Sequence, residues 1–85
     1  MLVYDDDEAA LVVMRETLHR SGARVTVART LDDVLRVVGR ERVDAVATDS
    51  MMTRSRACAL VIALRTSEDR RARRVPLVQL RCASS

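Results

Sequence analysis

Short apolar runs rich in β-branched residues alternate along this chain with stretches whose apolar residues recur every three or four positions, and this alternation restricts the fold more than any other feature. Leu2-Val3-Tyr4 is an apolar run closed by Asp5-Asp6-Asp7, which reads as a buried strand followed by a loop. From Glu8 the period changes: Leu11, Met14 and Leu18 recur at helical spacing, with Arg15, Glu16, His19 and Arg20 between them. This helix is acidic at its start and basic at its end, as its dipole favours. Ser21-Gly22 stops it, with Gly22 suited to a left-handed cap. Arg24-Val25-Thr26-Val27-Ala28 is a second strand. Thr30 reads as the N-cap of a helix with Asp32 and Asp33 in its first turn, an apolar stripe of Leu31, Val34, Leu35 and Val38, and Gly39 at its end. Val43-Asp44-Ala45-Val46-Ala47-Thr48 is a third strand, closed by Asp49.

A polar stretch, Thr53-Arg54-Ser55-Arg56, leads to a third helix carrying Leu60, Val61 and Leu64. Thr66 to Arg74 reads as helix end plus solvated loop, and Val75-Pro76-Leu77-Val78-Gln79-Leu80 as a fourth strand. Pro76 lacks an N–H and belongs at that strand's start or on an unpaired side. Strands alternating with helices imply parallel pairing, right-handed crossovers and helices on both faces. The expected fold is therefore α/β, a three-layer sandwich around a doubly wound parallel sheet.

At 85 residues the chain has room for one small domain, near the size at which a single core is only marginally sufficient. Its 48% apolar and 32% charged residues fit a globular protein rather than a disordered one. No apolar run approaches the roughly 18–20 residues that cross a bilayer, and Met1-Leu2-Val3-Tyr4-Asp5 has no secretion-signal pattern. Cys58 and Cys82 make no disulfide framework and no zinc spacing, and are expected as buried small hydrophobes. The expectation is a soluble cytoplasmic domain without membrane contact. All 15 basic residues are arginine, so chemistry that needs an ammonium group is excluded. Only Arg70, Arg71, Arg73 and Arg74 cluster, and Tyr4 is the single aromatic residue, so nucleic-acid binding is not expected.

In a parallel α/β sheet, ligands gather at the carboxyl ends of the strands. Asp5 and Asp6 follow the first strand and Asp49 follows the third. If those strands are neighbours, three carboxylates converge, and their repulsion calls for a cation or a proton. A hard divalent ion such as Mg2+ suits oxygen ligands. Such a site can hold a phosphoryl group against one carboxylate acting as nucleophile. Asp7 and Glu8 read instead as capping residues at a helix start.

Three segments carry a resemblance to a known family. Leu2-Val3-Tyr4-Asp5-Asp6-Asp7-Glu8 resembles the opening of a bacterial response-regulator receiver domain, Val43 through Met52 resembles its phospho-acceptor segment, and Val75-Pro76-Leu77-Val78 its fourth strand. The resemblance implies a flavodoxin-like sheet with strand order 2-1-3-4, a receiver truncated after the fourth strand and spanning residues 1–82, and a frayed tail over 83–85. It implies that Asp49 is the phospho-acceptor in a two-component phosphorelay, that Asp5 and Asp6 hold Mg2+ together with Asp49 and the backbone carbonyl of Met51, and that a histidine kinase is the phosphoryl donor. The chain is then a bacterial signalling phosphoprotein rather than an enzyme. A degenerate receiver that only binds other proteins is the alternative; a Mg2+-dependent phosphatase ranks behind both.

The sequence departs from the family pattern at four places. It has neither the lysine nor the fifth strand that carries it, Arg81 stands where the family has Thr or Ser, Thr53 replaces a proline, and Ala57 replaces a glycine. Arg81 could pair with Asp49 or a phosphate, block the pocket, or point into solvent. A sheet that stops at its fourth strand leaves an edge and apolar surface for a second copy or a partner protein.

Overall fold

The computed structural model describes residues 1–49 and 52–80. The elements run β1 (Leu2–Tyr4), α1 (Glu8–Arg20), β2 (Thr26–Ala28), α2 (Leu31–Arg40), β3 (Val46–Asp49), α3 (Arg54–Arg65), α4 (Arg70–Arg74) and β4 (Leu77–Leu80). The four strands form one all-parallel sheet in the order β2-β1-β3-β4, consistent with a flavodoxin-like fold.

Successive side chains of a strand point to opposite faces, and β1 divides its three residues accordingly. Leu2 and Tyr4 join Val46 of β3, Val34 and Val38 of α2, Leu60 and Leu64 of α3, and Ala72 of α4 in one core. Val3 joins Ala47 of β3 with Leu11 and Met14 of α1 in the other. The sheet is thus the middle of three layers, with α1 on one face and α2, α3 and α4 on the other. Each fully buried Leu or Val contributes about 1.5–3 kcal/mol.

Local signals set the helix starts. Asp7 accepts the N–H of Ala9 at 3.0 Å and Thr30 that of Asp33 at 3.1 Å. Gly22, after α1, has a φ of 85°, in the left-handed region that glycine enters without strain. Ala57 lies inside α3, so no left-handed backbone is required of it.

Several expectations are corrected. Thr66 to Arg74 is not helix end plus loop: it contains α4, capped by Asp69, which accepts the N–H of Arg71 at 2.8 Å. The Arg65 guanidinium fixes that turn by donating to the carbonyls of Ala72, Arg73 and Val75 at 3.2, 3.0 and 2.9 Å. Thr53-Arg54-Ser55-Arg56 is not a lead-in, because Thr53 caps α3 and the next three residues are its first turn. Cys58 is exposed, not buried. Leu60 and Leu64 define the inward face of α3, which leaves Cys58 two positions away on the outer side and Val61 40% exposed. Cys82 and the tail over 83–85 lie outside the described residues. Among the described residues, no helix is long and apolar enough to cross a membrane.

Candidate functional site

The register of the two central strands builds the site. Tyr4 of β1 pairs with Thr48 of β3, so the next residue on each chain, Asp5 and Asp49, steps out at the same carboxyl edge of the sheet. A cavity of about 240 Å3 opens there, lined by Asp5, Asp6 and Asp49 together with Asp7, Thr53 and Arg56. The three carboxylates expected to converge therefore share one cavity. Asp7 belongs to it only by position, since its side chain caps α1.

Their environments differ. Asp5 is 7% exposed, and its Oδ1 accepts the N–H of Asp7 at 2.9 Å. Burial pushes its carboxyl above the ordinary range; the hydrogen bond from Asp7 opposes the rise, and the neighbouring Asp6 and Asp49 charges add to it. Asp6 is exposed and is held below its ordinary value, first by the hydrogen bond from Arg56. Asp49 is half-buried at the end of β3.

Arg56 is a functional candidate to which the sequence reading assigns no role. Its guanidinium forms an ion pair with Asp6, donates to the Tyr4 hydroxyl at 3.4 Å, and lies 5.9 Å from the centre of the Tyr4 ring. These contacts favour its charged form and raise its pKa further. A signal was available: Thr53 read as an N-cap puts Arg56 in a first turn, where the helix dipole disfavours a cation and a carboxylate partner is needed.

The donor set is of the oxygen type that hard cations take. It consists of carboxylate oxygens, one of them buried among like charges that a divalent ion would relieve. Among the described residues, no three acidic, histidine or cysteine side chains stand as a ready metal-holding group. Asp6 is turned to Arg56 instead, so a metal would have to displace the guanidinium. Met51, whose carbonyl is the further expected ligand, and Arg81 lie outside the described residues. His19 is exposed in the last turn of α1, at the far end of that helix from Asp5 and Asp6.

Compared with known protein families, curated proteins and solved structures, the chain matches none.

Proposed function

We propose that this chain is a receiver-type signalling module in which Asp49 accepts a phosphoryl group from a histidine kinase. The observation that carries the proposal is the single cavity at the carboxyl ends of β1 and β3, lined by Asp5, Asp6 and Asp49. In the transfer, an Asp49 carboxylate oxygen attacks phosphorus, a P–O bond forms, and the P–N bond to the donor imidazole breaks, leaving an acyl phosphate. Asp5, Asp6 and Asp49, with the Met51 carbonyl, are the residues that would hold Mg2+. Bound there, the ion offsets charge on the transferring group. Asp5, pinned by the Asp7 N–H, presents a fixed buried oxygen, and Asp6 would have to release Arg56 to hold a cation. The acyl phosphate then biases a conformational equilibrium in a cytoplasmic phosphorelay.

One observation favours a second reading, a module that binds other proteins without being phosphorylated. Arg56 already supplies Asp6 with a positive charge. In that reading the edge strand β4, with Val78 exposed on it and Val61 and Ile62 exposed on α3, offers the contact surface to a second copy or a partner protein.

Incubation with Mg2+ and acetyl phosphate, followed by intact mass measurement, separates the two. An adduct of one phosphoryl group on the wild type and none on Asp49→Asn supports the acceptor. A folded sample that gains no mass supports the interaction module. Turnover of a phosphate ester, lost in Asp49→Asn, would favour a phosphatase over both.

A further inference from the structure

At the opposite rim of the sheet lies a cavity lined mainly by arginines. Arg42 and Val43 precede β3, and Arg74, Val75 and Pro76 precede β4, so two neighbouring parallel strands bring these residues to one amino-terminal edge. The last turn of α2 adds Arg40, and α4 adds Arg70 and Arg71. Together they line a cavity of about 870 Å3 with an apolar wall of Val38, Val43, Val75 and Pro76. Gly39 lets the two helices close on each other: a Cβ there would stand 3.1 Å from Oδ2 of Asp69, the residue that caps α4.

The arginines of this region divide by what they bind. Arg65 is spent on the carbonyls of Ala72, Arg73 and Val75, and Arg73 on those of Ser67 and Glu68. Arg71 reaches the Gly39 carbonyl at 3.4 Å. Arg40, Arg42, Arg70 and Arg74 are exposed and, among the described residues, their side chains make no hydrogen bond or ion pair. The one carboxylate lining the cavity, Asp69, gives an oxygen to a backbone N–H. Four uncommitted guanidiniums around one concavity concentrate positive potential, and a bound anion relieves their repulsion.

We propose that this cavity binds an anion of linked phosphate groups. Guanidinium forks pair bidentately with phosphate oxygens. The forks arrive from α2, from α4 and from the segment before β3, and four of them pairing bidentately call for more oxygens than the four of one orthophosphate. A chain of two or three phosphates supplies those oxygens in one ligand. Recognition rests on the phosphates: Tyr4, the single aromatic residue, lies at the opposite end of β1, so a nucleotide base finds no ring to stack on. The inference is independent of the acidic site and of what Asp49 does.

The test is calorimetric titration in 150 mM NaCl without divalent ions, using orthophosphate, pyrophosphate, tripolyphosphate and ATP. Affinity is expected to rise at least tenfold from orthophosphate to tripolyphosphate, with ATP within about threefold of tripolyphosphate. The double variants Arg40→Gln/Arg42→Gln and Arg70→Gln/Arg74→Gln, checked for native circular dichroism, are expected to weaken tripolyphosphate tenfold or more. Arg15→Gln/Arg24→Gln, at residues that line a separate cavity, should leave it within twofold. No saturable binding, or equal weakening in all three variants, overturns the proposal. ATP tenfold tighter than tripolyphosphate would make the ligand a nucleotide read through its base and sink the phosphate-only account. A single-stranded oligonucleotide that outcompetes tripolyphosphate would replace it with a nucleic-acid surface.

Discussion

A guanidinium in the first turn of a helix stands where the backbone dipole repels it, and Arg56 meets that cost through Asp6 and the Tyr4 ring. It follows that Arg56 and a divalent ion compete for one carboxylate. Arg56→Met keeps an apolar stem beside Tyr4 and deletes the charge. Mg2+ is expected to bind the variant about fivefold more tightly by calorimetry, because an exposed ion pair is a weak competitor. Unchanged affinity would show that the pair is not in the way. Asp5 gives a pH prediction. Its folded value lies above the ordinary 3.8, so the folded chain binds this proton more tightly than the unfolded chain does. The stability it contributes is present below 3.8 and lost as pH rises through the raised value. Asp6 runs the other way: its contribution is present at neutral pH and lost as pH falls through its lowered value. Asp5→Asn retains the acceptor for the Asp7 N–H and removes the buried charge. At pH 7, thermal melts should show it more stable than wild type, with the difference disappearing as pH falls below 3.8.

The starts of α1 and α2 were readable because a cap is a local event: Thr30 and Asp7 act within three residues of their own position. The stop at Gly22 is equally local. No neighbouring atom lies within 4 Å of a Cβ added there, so Gly22→Ala pays only for the left-handed backbone. The expected loss is about 1 kcal/mol, a melting temperature lower by about 4–8 °C. No change on melting would mean that the turn relaxes out of its left-handed form. Strand lengths were overread for a nonlocal reason. Residues β-branched enough to extend, such as Val25 and Val43, stay outside the ladder because β1 offers its neighbours only Leu2, Val3 and Tyr4 to pair with. The helix α4 was missed because its composition, four arginines around Ala72, has no stripe. It is held by Asp69 at one end, Arg65 from α3, and the burial of Ala72.

On the scale of the whole molecule two charged cavities lie at opposite ends of the strands, one lined by Asp5, Asp6 and Asp49 and the other by Arg40, Arg42, Arg70 and Arg74. With a net charge of +3, repulsion at the basic end opposes folding. Raising NaCl from 50 to 500 mM shortens the screening length from about 14 to about 4 Å. The melting temperature is therefore expected to rise by a few degrees, and to rise less in Arg70→Gln/Arg74→Gln. A fall with salt would mean that the exposed pairs Arg36–Asp33 and Arg56–Asp6 outweigh the repulsion.

Periodicity and capping are properties of neighbouring residues. The α/β order, the parallel sheet and the side of it that receives Asp5, Asp6 and Asp49 could accordingly be read from the chain of letters alone. Partnership is different, because it depends on which groups meet after distant segments pack. That Arg56, 50 residues beyond Asp6, closes on it, that Arg65 is consumed by α4, and that arginines from α2, from α4 and from the segment before β3 line one cavity are outcomes of packing. A residue's own identity sets its charge, but the assembled layers set what that charge is near.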